Sequence, residues 1–151
     1  MPQPFSPRVF ALLMLAVLSS ASIAFAQRSG KFDPDGSFWI LGEPPSDFKD
    51  FGGINLNAKR SRRLNKAGVN LTNGVQLRYL TLNVRREKLI FTTAASSGVS
   101  YGFDGRFLKG GVFAAANLDD QTPVLDGTLT KYKNGQKVAE ARLKFVYFGG
   151  T

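Results

Sequence analysis

The 151-residue chain contains no cysteine and no histidine. The first absence removes disulfides and thiolate nucleophiles. The second removes the commonest transition-metal ligand and the one side chain whose ordinary pKa lies near neutrality. A Ser-His-Asp or Cys-His arrangement is therefore excluded, and no Ser-Lys pair stands at a meaningful spacing. Gly52-Gly53 and Gly110-Gly111 lack the lysine and the following helix of a phosphate-binding loop. Asp33-Pro34-Asp35-Gly36 is turn chemistry. It fails as a calcium loop, because Gly36 at the sixth position would put Lys31 first and Gly42 twelfth, where carboxylates belong. A carboxylate pair is the remaining enzymatic arrangement, yet most acids sit in turn sequences. Glu87 and Glu140, on or beside strands, have basic neighbours that lower a carboxyl pKa, the wrong direction for a general acid. No catalytic, cofactor-binding or metal-binding residue is assigned, no cofactor is called for, and an enzyme is not expected.

Long apolar runs are equally scarce. Val9 to Val17 continues weakly to Phe25 with Ser19, Ser20 and Ser22 interrupting, short of the roughly 20 apolar residues a membrane helix needs. Polar residues precede the run, and Ala24-Phe25-Ala26 places small side chains where a signal peptidase reads them. Residues 1–26 are thus expected to be a cleaved signal peptide. Residues 27–151 then form one domain: an irregular segment over 27–50 containing a first short strand, and an antiparallel β domain over 51–151. An exported, cysteine-free domain of this size suits a bacterial periplasm or the medium, so the expected location is secreted or periplasmic.

What the chain does have is positive charge, 20 basic residues against 11 acidic and a formal net charge of +9. It is segregated. No acid occurs from Phe51 to Arg86, while Lys59, Arg60, Arg62, Arg63, Lys66, Arg78, Arg85 and Arg86 do. The densest part, Lys59, Arg60, Arg62, Arg63 and Lys66, is the candidate polyanion-binding site, read as a loop or a short helical turn between Ala58 and Lys66. As a solvated connection it would serve only solubility.

The remaining pattern has a period of two. Asn134-Gly135 favours a type I′ turn, since both residues tolerate positive φ. Pairing Lys133 with Gln136 then sets Thr130 opposite Ala139, Thr128 opposite Ala141 and Asp126 opposite Leu143. One face would carry Thr128, Thr130, Tyr132, Ala139, Ala141, Leu143, Phe145 and Tyr147. The wet face would carry Lys131, Lys133, Glu140, Arg142 and Lys144, with Leu129 and Val138 as its only apolar members. Upstream, the apolar set switches from Val75, Leu77 and Tyr79 to Leu80, Leu82 and Val84, which predicts a bulge at Tyr79-Leu80. Arg85 to Lys88 reads as a turn and Leu89 to Ala94 as a strand. Asp104-Gly105 offers a second type I′ turn with Phe103 opposite Arg106, but Val99 to Phe107 reads better as one continuous strand bent at Gly105, which keeps its large apolar residues in register, and Val112 to Ala116 reads as another. Trp39, the only tryptophan, is expected to fill the core or close one end of it.

Gly36 and Trp39 on a first strand, with Arg142 on the last, resemble the lipocalin-like (calycin-like) barrels, in which such an arginine packs across the tryptophan. Gly36-Ser37-Phe38-Trp39 is one residue longer than the Gly-x-Trp of those families. The resemblance implies a fold and no binding residues. The expected fold is all-β, a small antiparallel barrel of about eight strands or a β-sandwich, ending in a long C-terminal hairpin. Two functions follow from it. An exported barrel could bind a small apolar ligand in its interior or at its rim. Alternatively, a surface-acting protein could attach to an anionic envelope, polysaccharide or lipid through the basic patch. Sequence-specific nucleic-acid binding is not expected, and the sequence leaves the oligomeric state open.

Overall fold

The computed structural model describes residues 32–56, 67–108, 113 and 118–148. The expected leader over 1–26 and the basic run from Lys59 to Lys66 with its expected helical turn lie outside them, as does the strand expected over Val112 to Ala116 apart from Phe113. Eight strands, β1 (Gly36–Ile40), β2 (Phe51–Leu56), β3 (Gly68–Leu71), β4 (Gln76–Arg85), β5 (Lys88–Thr93), β6 (Val99–Phe107), β7 (Pro123–Lys133) and β8 (Gln136–Phe148), follow one another around a closed barrel. Every neighbour is antiparallel, and β1 pairs with β8 to close the ring. The choice between barrel and sandwich is thereby decided. Closure removes the two free edges that a sheet of this size would otherwise expose. Among the described residues there is no α-helix, only a 3₁₀ turn over Ser46–Phe48.

The Asn134-Gly135 turn forms with φ of 52° and 80°, and Lys133 faces Gln136. Two steps further the ladder departs from the expected register. Tyr132 faces Lys137 but Lys131 faces Ala139, so Val138 is an extra residue on β8. Thr130 consequently faces Glu140, Thr128 faces Arg142 and Asp126 faces Lys144. The inward set expected for β8 holds, with Leu143 and Phe145 buried, while that of β7 is reversed. Leu125, Gly127 and Leu129 are buried, and Lys131 points inward with its side chain 19% exposed. The reason is parity: one unpaired residue turns every later side chain on the partner to the other face. Without it Leu129 would lie in water and Thr128 and Thr130 in the core.

The expected bulge on β4 is present, since Tyr79 faces Thr93 and Thr81 faces Thr92, leaving Leu80 over. Strand β6 is continuous through Asp104-Gly105. Gly105, the expected bend point, has a packing role. Gly105 and Gly127 face each other across β6 and β7, and a Cβ on either would come within 2.5 Å of Cζ of Phe103. Phe103 lies across this glycine pair and meets Phe91 at 5.5 Å and Phe145 at 5.6 Å between ring centroids. Phe145 reaches Phe51, and Phe51 meets Tyr101. At the other end Phe38 touches Phe107, Phe113 and Tyr147. Aromatic rings thus occupy the barrel interior from β5 across to β2, in the edge-on and offset geometries such pairs prefer.

Trp39 is not part of this core. It is 47% exposed on the outer surface and stacks on Phe148 at 4.4 Å and 12°. The extra residue before it is the cause: two positions after Gly36 stands Phe38, which alternation turns inward to full burial, and the next residue faces out. Arg142 does not cross it, because its guanidinium is held by Asp126.

Replacing Gly127 by Ala should cost about 1–3 kcal/mol by overpacking against Phe103 and against the backbone of Gly105 and Asp104. In Phe103→Leu the same change should cost measurably less. Urea unfolding of the four proteins of that cycle gives the coupling, and additive effects would show that the glycine is not there for the ring.

Candidate binding surface

Parity also arranges the outside. Residues paired directly across strands share a face, so the register aligns Arg85, Lys88, Arg106, Asp126 and Lys144 in one transverse row over β4 to β8. The adjacent row runs Ile90, Asp104, Thr128, Arg142. Between the rows the backbone of Gly105 and Gly127 floors a depression of about 510 Å³, walled by Lys88, Asp104, Arg106, Asp126, Thr128 and Arg142. Five cations and two carboxylates therefore converge on one side of the barrel.

The carboxylates are already engaged. Arg142 holds Asp126 in a fork, Nε donating to Oδ1 at 3.1 Å and Nη2 to Oδ2 at 2.8 Å. Donation by Arg142 draws the Asp126 carboxyl below its ordinary pKa despite burial, and the charges of Arg106 and Lys144 add to this. Asp104 has Lys88 at 3.4 Å, an exposed pair contributing little energy. Arg85, Arg106 and Lys144 have no carboxylate partner among the described residues. Glu140 accepts from Lys137 at 2.7 Å and from Thr130 at 3.2 Å, and both bonds lower its pKa. Neither Asp126 nor Glu140 is thus a proton donor near neutrality. No three acidic side chains converge as a metal site would require, among the described residues.

Lys131, expected on the wet face, instead closes one mouth of the barrel. Its ammonium donates to both carboxylate oxygens of Asp50 at 2.8 Å and to the Asp47 carbonyl at 2.9 Å, over the Tyr101 ring. This ties down the 3₁₀ turn whose Phe48 is 1% exposed. Burial, with Asp50 adding to it, pushes the Tyr101 hydroxyl far above its ordinary range, so it stays neutral.

The expected polyanion site, Lys59, Arg60, Arg62, Arg63 and Lys66, lies outside the described residues. The transverse row is only half visible in the sequence. Lys144 sits at an outward period-two position of β8, but bringing Arg85, Lys88 and Arg106 into line with it takes four successive strand registers. The chain matches no protein-family model, no curated protein and no solved structure.

A lowered folded-state pKa makes Asp126 stabilising above the unfolded carboxylate value of about 4, and that contribution is lost as pH falls through the lowered value. Asp126→Asn should therefore be less stable than the parent at neutral pH, with a shallower loss of stability on acidification. Thermal melts between neutral and strongly acidic pH check this, and parallel curves would contradict it.

Proposed function

We propose that this barrel is an exported attachment protein that works through its outer surface, engaging anionic polymers or anionic lipid with the cation row on β4 to β8. The alignment of Arg85, Lys88, Arg106 and Lys144 in one row with a single carboxylate among them carries the reading. Cations so placed raise the local concentration of any polyanion, with an affinity that falls steeply with salt as counterions are released. The aromatic rings that occupy the interior weigh against a ligand held inside. A closed barrel of eight strands has room only for its own side chains or one small molecule. Binding rather than catalysis is also favoured by the engagement of Asp126 and Glu140 with basic partners.

Retention on immobilised heparin tests the proposal. Arg85→Ser, Arg106→Ser and Lys144→Ser combined should elute at lower salt. The slope of log affinity against log salt should flatten by up to about one for each phosphate or sulfate group no longer neutralised. Stability should move by less than about 1 kcal/mol, because the three side chains are exposed. Unchanged retention would reject the row. If Arg60→Ser, Arg62→Ser and Arg63→Ser abolish retention in its place, the binding belongs to the basic run of the sequence.

Export rests on the pattern of residues 1–26. Intact-mass measurement of protein recovered from periplasm or medium should give a chain starting at Gln27, and a species retaining Met1 would refute it.

A further inference from the structure

Along the outer face of β8 the alternation that exposes Lys144 continues through Val146 to Phe148, roughly 13 Å further on at strand spacing. There the surface changes character. Trp39 of β1 and Phe148 stack with centroids 4.4 Å apart while 47% and 41% exposed. Single exposed apolar side chains are ordinary, whereas here two large rings stand exposed in contact with each other. This one borders a cleft of about 300 Å³ whose other walls include Val146, Tyr147, Asp120 and Gln121. That volume is at the small end for ligand clefts, roughly 300 to 1,000 Å³. Asp119 Oδ1 accepts from the Gln121 amide at 2.9 Å, and the Thr122 amide donates to the Asp119 carbonyl at 2.9 Å, which holds this loop in a tight turn beside the rings.

We propose that this cleft is a subsite for a neutral pyranose sugar. The chemistry of the walls selects it. A pyranose ring presents a face of C–H bonds that packs on an exposed aromatic ring, and a rim of hydroxyls that donate to a carboxylate and exchange hydrogen bonds with an amide. Trp39 and Phe148 supply the first surface, and Asp120 and Gln121 the second. A nucleotide could use the rings, but its phosphates would meet Asp120 in the cleft wall, where like charges repel. The subsite stands on these observations and does not depend on the cation row.

Trp39 is the only tryptophan of the chain, so its fluorescence reports this cleft directly. Titrating the intact protein with cellohexaose, maltohexaose and chitohexaose should give, with at least one of them, a saturable shift of emission and protection from acrylamide quenching. Because no ion pair is involved, raising salt from about 50 to 500 mM should leave the midpoint unchanged. Phe148→Ala and Gln121→Ala should each weaken that binding about tenfold or more, equivalent to about 1.4 kcal/mol. Circular dichroism verifies that the barrel persists in both, and the Arg85, Arg106 and Lys144 serine variant should bind the sugar like the parent. The proposal is overturned if none of the three sugars shifts the emission at millimolar concentration, or if both variants bind unchanged. It is likewise overturned if oligodeoxythymidine gives the shift where the sugars do not. A shift driven by protein concentration alone would identify a second copy of the chain as the occupant and would also overturn it.

Discussion

Val138 has no partner on β7, and this one unpaired residue decides which side of two long strands faces the interior. With it, Leu125 and Leu129 enter the core opposite Phe145 and Ala141, and Asp126 and Thr128 turn outward beside Arg142 and Lys144. A ladder continued without interruption from Asn134-Gly135 would bury threonine hydroxyls and expose leucines, losing roughly 1.5 to 3 kcal/mol of apolar transfer energy for each leucine. Everything placed on β7 depends on that choice, including the glycine that accepts Phe103 and the carboxylate that anchors Arg142. The bulge is the point at which a local irregularity sets the global arrangement.

Inside the barrel the second constraint is space. Eight strands enclose a narrow lumen into which large rings project, and Phe103 is seated there because Gly105 and Gly127 present backbone where other residues would present a side chain. The glycine pair has a consequence on each surface. It seats Phe103 within, and outside its backbone floors the depression between the two charged rows. The packing that seats Phe103 in the interior thus also shapes a concavity on the exterior.

The outer surface is consequently graded along β8. Glu140 and Arg142 are tied to neighbours, Lys144 is unpaired among the described residues, and Phe148 stacks on Trp39. Charge and aromatic surface therefore stand on the same face of the same strand but four residues apart, suited to different chemistry. Lys131 illustrates the converse. An ammonium turned inward is tolerated because Asp50 and the Asp47 carbonyl meet it at the mouth, replacing water with three donated bonds.

Local chemistry was legible in the sequence wherever it acts over a few residues. The type I′ turn at Asn134-Gly135, the bulge at Leu80, the continuity of β6 through Gly105 and the inward set of β8 each follow from φ preferences or alternation within one segment. So does the all-β class, with a barrel as one of its two forms. Missing chemistry was equally plain, since a chain without cysteine or histidine cannot build the sites those residues make. The facing of β7, the inward turn of Lys131, the exposure of Trp39 and the row from Arg85 to Lys144 were decided only by tertiary structure. Each depends on parity counted across strands, and a single extra residue, Val138 in β8 or the one lengthening Gly36-Ser37-Phe38-Trp39, reverses the outcome without leaving any mark in composition or local propensity.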